Sequence, residues 1–172
     1  QKRYQRKHQK QTILERISIH QRPEEINKKI SFGHWESDTL ISKYRRALSV
    51  QYERKSQLVK IQKLPDLTAV STKQVIQENI IDLPDYLRLS MTFDNGGENA
   101  DHHELRDNLN LQTYFCDPYS AWQKGGVENV NGLLRQYIPR GASLNEFTHE
   151  DIYTIQEKLN NRPRKSLNYL SP

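Results

Sequence analysis

The sequence predicts an α/β or α+β domain of three layers, in which a mixed β-sheet is covered by helices. Three observations predict it. Closely spaced strand-like segments begin the domain, later strands alternate with helical segments, and the 172 residues suit a single domain. Short turns favour antiparallel pairing, whereas strands separated by a helix need crossovers, which favour parallel pairing. We therefore expect three antiparallel strands followed by parallel ones.

The individual elements are predicted from apolar periodicity. The predicted strands are 33–41, 47–52, 58–64, 87–93 and 111–115, and the predicted helices are 69–81, 100–109, 127–138 and 150–160. In the third helix Val127, Val130 and Leu134 recur every three or four residues, so one helix face can pack on the sheet. Thr148 is a suitable N-cap for the last helix.

Charge is unevenly distributed along the chain. Residues 1–31 carry nine Lys/Arg against three Asp/Glu, residues 158–172 carry four against none, and residues 32–157 carry thirteen against eighteen. Basic segments attract phosphate backbones, and an acidic centre repels them unless cations neutralise it. The pattern indicates a metal site that acts on a polyanion. Flanking charge that only solvates loose ends is the alternative explanation.

Composition excludes several classes of protein. Cys116 is the only cysteine, which excludes an internal disulfide and a paired-cysteine zinc site and suits a reducing compartment. No segment approaches the roughly 20 apolar residues of a membrane span, and the polar start QKRYQRKHQK is not a signal peptide. We therefore expect a soluble cytoplasmic protein with no membrane partner. Residues 1–30 lack sustained periodicity and are interpreted as a basic linker or arm before a domain at 31–172.

Asp38, Asp94 and Glu128 are the candidate metal ligands. Both aspartates adjoin apolar residues of predicted strands, and Glu128 lies in the first turn of a predicted helix. Clustered carboxylates repel one another and are costly to bury, a difficulty that a divalent cation removes. Oxygen ligands without a Cys/His set favour Mg²⁺ or Mn²⁺ over zinc. Taken singly, each acid also has a structural explanation, as an outward strand residue, a turn residue or a helix N-terminal charge.

The segment DPYSAWQKGG, just before Glu128, combines aromatic and basic residues. Tyr119 and Trp122 beside Lys124 are suited to stacking on splayed nucleobases, although aromatic anchoring of the loop to the core explains them equally well. Along the following helix, Glu128, Asn131 and Arg135 share one face, so a carboxylate and a guanidinium can both meet nucleic acid. An exposed polar helix face is the alternative.

Four segments resemble the catalytic core of DDE transposases of the IS-thirty insertion-sequence family, which are relatives of retroviral integrases. In order they are GHWESDTL, TFDNGGEN, DPYSAWQKGGVENVNGLLRQYIPRG and LNNRPRKSLNYLSP, and 33 residues separate Asp94 from Glu128, the interval of that family's signature. The resemblance runs from about residue 22 to residue 172. It implies an RNase H-like fold with a mixed five-stranded sheet flanked by helices on both faces. It also matches Asp38, Asp94 and Glu128 to the family's metal-binding acids.

The resemblance further implies a DNA transposase that cleaves at an element end and transfers the freed 3′-hydroxyl to another strand. Two Mg²⁺ ions, with Mn²⁺ as substitute, are expected roughly 3.5–4 Å apart between the acids. Implied partners are element and target DNA and a second copy of the chain, in the bacterial cytoplasm at the nucleoid. The family's amino-terminal helix-turn-helix region has no counterpart here, so a fragment is expected. The predicted DNA contacts are Tyr119, Trp122, Lys124, Asn131, Arg135 and Arg140.

Two other functions remain compatible with the same residues. One is an RNase H-like nuclease that is selective for DNA structure and never joins strands. The other is a non-catalytic DNA-binding or assembly module that retains the acids.

Overall fold

A computed structural model of the protein describes residues 13–172, and its sheet has five strands. The strands are β1 at His34–Ile41, β2 at Ala47–Glu53, β3 at Val59–Leu64, β4 at Ser90–Phe93 and β5 at Gln112–Phe115. Their order is β3-β2-β1-β4-β5. β1, β2 and β3 pair antiparallel, whereas β4 is parallel to both β1 and β5. The predicted change from antiparallel to parallel pairing is confirmed.

The helices begin at side chains suited to capping. They are α1 at Glu24–Asn27, α2 at Ala69–Ile80, α3 at His102–Leu109, α4 at Gly125–Tyr137 and α5 at His149–Asn160. At the start of α2, the Thr68 hydroxyl accepts a hydrogen bond from the Ser71 amide. At the start of α5, the Thr148 side chain accepts a hydrogen bond from the Asp151 amide, and the Asp151 side chain accepts one from the Thr148 amide. This pair of bonds is a capping box. Thr148 is therefore the N-cap of α5, as the sequence predicts.

Helices cover both faces of the sheet because strand residues alternate between two apolar clusters. On one face, Leu48 and Val50 of β2 belong to the same buried cluster as Val130 of α4 and Ile155 of α5. The opposite face packs on α2 and α3 through a second cluster that contains Trp35, Ile76, Ile80, Met91, Phe93 and Leu105. The predicted arrangement of helices on both faces is confirmed.

The fourth strand is shorter than the sequence predicts. β4 begins at Ser90, and residues Asp85–Leu87 instead form a 3₁₀ turn that follows Pro84. The Leu87 carbonyl accepts a hydrogen bond of 2.8 Å from the indole nitrogen of Trp35. Residues 87–89 alternate apolar and polar as a strand does, but the turn and this tertiary contact decide their conformation.

Both edges of the sheet are covered by other parts of the chain. At the β3 edge, the Asn160 side chain accepts from the Val59 amide and donates to the Val59 carbonyl, each at 2.9 Å. The Gln156 side chain accepts the Ile61 amide at 2.7 Å. At the β5 edge, the Phe115 amide donates to the Ile17 carbonyl at 2.8 Å. Unpaired strand edges template association between chains, so these contacts limit edge-to-edge pairing with another chain.

The predicted arm overlaps with residues that contact the sheet. Ile19 is buried, and the buried Arg22 guanidinium donates to the Thr92 hydroxyl at 2.9 Å. The boundary at residue 31 stays a prediction, and residues 1–12 of the arm lie outside the described residues. Among residues 13–172, no helix has the length and apolar character required to cross a membrane.

Candidate functional site

The three predicted acids line one open cavity of about 750 Å³. Asp38 lies in β1, and Asp94 directly follows β4, the parallel neighbour of β1 in the sheet. Glu128 lies in the first turn of α4, which contacts β1 and β2. The sheet order therefore brings together residues that are far apart in sequence. The cavity is also lined by Arg16, Cys116, Asp117, Tyr119 and Lys124.

The ammonium group of Lys124 lies between the two aspartates. Its Nζ is 3.0 Å from Asp38 Oδ1 and 3.4 Å from Asp94 Oδ2, and it donates to the Ser37 carbonyl at 2.9 Å. The Lys124 side chain is only 3% exposed. Burial by itself lowers the pKa of Lys124, but the charges of Asp38 and Asp94 outweigh burial and raise this pKa above its ordinary value. A cation is thus stabilised between these carboxylates.

Further hydrogen bonds orient both aspartates. Asp94 Oδ1 accepts the Gly96 amide and the Asn99 side-chain amide, each at 2.9 Å. This is the turn geometry that the sequence suggests for Asp94, and it leaves Oδ2 facing Lys124. Asp38 Oδ2 accepts the side-chain amide of Asn131 at 2.6 Å. Each aspartate therefore has one oxygen held by an amide and the other directed at the ammonium.

Glu128 is exposed and stands apart from this arrangement. Within the part of the chain that the structure describes, no three His, Cys, Asp or Glu side chains converge closely enough to hold a metal ion as they stand. Carboxylates that lack a shared cation repel one another, and here the single positive charge of Lys124 offsets part of the negative charge of the aspartate pair only. The sequence predicts three acids that chelate metal together. The structure places all three around one cavity but does not bring their oxygens close enough together to coordinate one ion.

A buried carboxylate, Glu36, fixes the start of α4. Its Oε2 accepts the Val127 amide at 2.9 Å, and its Oε1 pairs with the Arg54 guanidinium. Gly126 approaches so closely that a Cβ there would lie 2.2 Å from the Tyr52 ring. Glu36 and Gly126 together set the distance between α4 and the sheet. The position of Glu128 depends on that distance.

Five of the six predicted DNA contacts fall into two groups. Tyr119 and Trp122 are exposed on the loop beside the cavity, with 105% and 73% relative exposure, and Arg140 is exposed beyond the end of α4. Lys124 and Asn131, by contrast, are hydrogen-bonded to Asp38, so this structure does not offer them to a phosphate.

Arg135, the remaining predicted DNA contact, lies against the sheet. It donates to the Ile41 carbonyl at 2.8 Å. This bond points the Arg135 side chain toward β1, the same strand that Asn131 contacts. The shared helix face that the spacing predicts is therefore the face directed at β1.

Sequence reasoning missed two residues at this site. Glu36 precedes Asp38 by two positions in a strand, and the period of two, a signal present in the sequence, places both on the face that meets α4. Arg16 lines the cavity although it lies in the predicted linker, and no local pattern of the sequence indicates this. Its placement follows from the pairing of residues 17 and 18 with the edge of β5.

Comparisons with known proteins agree with this geometry. No protein-family model matches the chain. It is 43% identical over 161 residues to the transposase for insertion sequence element IS1086 of Cupriavidus metallidurans, covering 93% of this chain and 48% of that protein. The chain is related to the IS-thirty transposases. Transposase InsI for insertion sequence element IS30A of Escherichia coli is 37% identical over 99% of this chain and 45% of its own length.

The IS-thirty relatives are longer than the chain, and solved structures resemble its fold. The chain spans about half the length of the curated relatives it matches. The catalytic core domain of BIV integrase superposes with a TM-score of 0.61 at 21% identity, covering 81% of this chain and 90% of that one. A simian T-cell lymphotropic virus intasome chain superposes with a TM-score of 0.62 at 19% identity, covering 76% and 49%. The predicted integrase-like, RNase H-like fold is confirmed.

Proposed function

We propose that this chain is the catalytic domain of an insertion-sequence transposase, which cuts DNA at the ends of its element and joins the freed 3′-hydroxyls to target DNA. The observation that carries the proposal is the cavity lined by Asp38, Asp94 and Glu128 on an integrase-like fold. Relatives named as transposases match 91–99% of the chain. We assign residues 31–172 to this domain.

The donor set at the cavity fits a hard divalent cation. Carboxylate oxygens are the ligands that Mg²⁺ and Mn²⁺ prefer, and Cys116, the one soft donor at the cavity, has its pKa raised by burial to about 11. The Asp38 and Asp94 oxygens already stabilise one positive group, the Lys124 ammonium. We propose that Asp38, Asp94 and Glu128 hold two Mg²⁺ ions, or Mn²⁺ in their place. When bound, the metal ions neutralise phosphate charge and activate the attacking oxygen.

The proposed chemistry is two successive phosphoryl transfers. In the first, a water oxygen bonds to phosphorus at the element end, the bond from phosphorus to the 3′-oxygen breaks, and that oxygen takes a proton to become a 3′-hydroxyl. In the second, this hydroxyl loses its proton and bonds to a target phosphorus, and the target strand's 3′-oxygen leaves. The acidic cavity carries no excess positive charge of its own, so cations are needed to hold a phosphodiester there.

The surroundings of the cavity suit a DNA end. Tyr119 and Trp122 present exposed rings beside the acids, where each stacked base contributes about 1–3 kcal/mol. We propose that these two residues position the end, and that Arg135 and Arg140 contact the backbone. Transposition needs both ends of the element held together, so we propose that the working form is a dimer or a larger assembly on DNA. Its place of action is the bacterial cytoplasm, at the nucleoid.

Strand joining by variants of the full-length protein tests this function. Asp38→Asn, Asp94→Asn and Glu128→Gln should each fold normally and lose joining by about a thousandfold, the several kcal/mol that metal stabilisation of the transition state provides. The assay follows a labelled element end into a longer product on a denaturing gel with Mg²⁺ present.

The matched control for these acid variants is Asp101→Asn. Asp101 lies at the start of α3, does not line the cavity and caps no helix amide through its side chain. The Asp101→Asn variant should therefore join DNA strands at the rate of the parent protein. If any of the acid variants joins strands at the full rate, that acid does not belong to the site. If the parent protein cuts DNA in a metal-dependent reaction but never joins strands, it is a nuclease.

A further inference from the structure

Lys124 occupies the position at which the proposed function requires a metal ion. Its ammonium contacts Asp38 and Asp94 through oxygens that no other side chain among residues 13–172 engages. The other oxygen of each carboxylate accepts amide hydrogen bonds, from Asn131 in one case and from Asn99 and the Gly96 backbone in the other. A divalent cation that binds both aspartates must therefore compete with Lys124 for the same two oxygens.

We propose that Lys124 is an internal counter-ion that divalent metal displaces, and that its displacement releases the loop of residues 117–124 to engage DNA. The inference rests on the proposed function, because it takes Asp38 and Asp94 as metal ligands. An ammonium and a divalent cation that compete for the same oxygens repel each other, and the burial of the Lys124 side chain limits the screening of this repulsion by water. The metal-bound site therefore expels Lys124.

The loop depends on Lys124 for its attachment to the sheet. None of residues 117–123 is buried, and Gln123 bonds within the loop, to Asp117. At its start the loop is held by Asp117, whose carboxylate accepts a hydrogen bond of 2.8 Å from Nε2 of the exposed His20. At its end, the ammonium of Lys124 reaches the Ser37 carbonyl of β1 and both aspartates. Displacing this one group removes the side-chain contact between the loop and the sheet, while the start of α4 stays held by the bond of the Val127 amide to Glu36.

Release of the loop resolves a conflict between sequence and structure. The position of Lys124 among aromatic residues predicts a phosphate contact, yet the structure buries its ammonium in the acidic site. Displacement by metal moves this positive charge out of the acidic pair and toward the loop that carries Tyr119 and Trp122. Metal binding thus prepares the loop for a DNA end, and the two events occur in a fixed order.

Pulsed acylation of lysines, read by peptide mass spectrometry, tests the displacement in the 172-residue chain. Mn²⁺ is the probe, and its binding is measured in parallel from the paramagnetic resonance signal of the free ion. We expect the labelling rate of Lys124 to rise at least about tenfold, with the same midpoint as Mn²⁺ binding. Lys73 is the matched control, because it also pairs with a carboxylate, that of Glu104, but lies outside the cavity. Its labelling should not change.

Substitution of Lys124 measures the competition itself. If the paired state holds about 90% of the metal-free molecules, removing the ammonium tightens the apparent affinity for Mn²⁺ about tenfold. Lys124→Met should show this gain, and Lys124→Arg, which keeps the positive charge, should not. Equal Mn²⁺ affinity of the parent and Lys124→Met overturns the proposed competition.

The two proposals fail in different ways. If Asp38→Asn and Asp94→Asn weaken Mn²⁺ binding but Lys124 stays protected at saturating Mn²⁺, displacement is overturned and the metal site stands. If neither aspartate variant weakens Mn²⁺ binding, the metal site of the proposed function is overturned, and the displacement with it.

Discussion

Replacing Gly126 with alanine should push α4 away from the sheet, whereas the same replacement at Gly132 should stabilise α4. A Cβ at residue 126 would lie 2.2 Å from Cε1 and 2.6 Å from Cδ1 of Tyr52, and 2.8 Å from Oε2 of Glu36. Tyr52 and Glu36 are both buried, and Glu36 is held by the Arg54 guanidinium and the Val127 amide. A Cβ at residue 132 would meet no atom within 4 Å.

The expected free energies follow from these contacts. Overpacking a core costs about 1–3 kcal/mol, and exchanging glycine for alanine inside a helix gains roughly 0.5–1 kcal/mol. Both residues lie in α4, so the helical gain applies to both variants and the clash to only one. We expect Gly126→Ala to lower the free energy of unfolding by about 1–2 kcal/mol and Gly132→Ala to raise it by about 0.5–1 kcal/mol.

Urea denaturation of both variants, followed by circular dichroism, measures the difference. A second measurement is Mn²⁺ affinity, because a shift of α4 also moves Glu128 relative to Asp38 and Asp94. Gly126→Ala should bind Mn²⁺ more weakly than the parent, and Gly132→Ala should bind it equally well. If Gly126→Ala proves as stable as Gly132→Ala, then Tyr52 and Glu36 do not set the approach of α4, and the explanation of how Glu128 is positioned is wrong.

Two further predictions concern stability away from the cavity. Burial lowers the pKa of His102 below its ordinary 6.5, so the unfolded chain binds the proton first as pH falls. The free energy of unfolding should therefore decrease below about pH 6.5, and His102→Gln should reduce this dependence when unfolding is measured between pH 5 and 8. Asn160→Ala should lower the free energy of unfolding by about 1–3 kcal/mol in urea, because two hydrogen bonds to the edge strand are lost.

Both of these predictions have controls on the same molecule. His149 is exposed, so His149→Gln should keep the parental pH dependence. An unchanged pH dependence in His102→Gln would contradict the role of His102 burial. Asn161 is exposed and, among residues 13–172, its side chain bonds only to Glu157 at its own helix end, so Asn161→Ala should cost much less than Asn160→Ala. If the two asparagine variants lose equal free energy of unfolding, the hydrogen bonds from Asn160 to the edge of β3 do not contribute to stability.

The fold could be predicted largely from local patterns. Strand alternation, helical spacing and connection length are properties of neighbouring residues, and they are sufficient to predict the mixed pairing of the sheet. The predicted start of β4 is wrong because Leu87 bonds to Trp35, a residue that is 52 positions away. Contacts at that range leave no periodic signal in the sequence.

The candidate site likewise combines features that local sequence predicts with contacts that only the folded chain creates. The placement of Asp38 and Asp94 in or at the end of predicted strands, and of Glu128 at a helix start, follows from the sequence, and their role as ligands stays a prediction. Only the structure shows that the two strands are neighbours. Local sequence predicts a phosphate contact for Lys124, yet the structure pairs it with two carboxylates. That pairing exists only because parallel β1 and β4 bring the aspartates within reach of one ammonium.

By itself, the sequence determined the order of elements, the alternation that divides the core into two faces, and the relation to the IS-thirty transposases. Only the tertiary structure decided that the aspartates share a lysine, that Glu36 holds the start of α4, and that residues 17 and 18 complete the sheet edge. The physical reason is range. Backbone preferences act between residues a few positions apart, whereas charges and hydrogen bonds act between whichever groups the folded chain brings together.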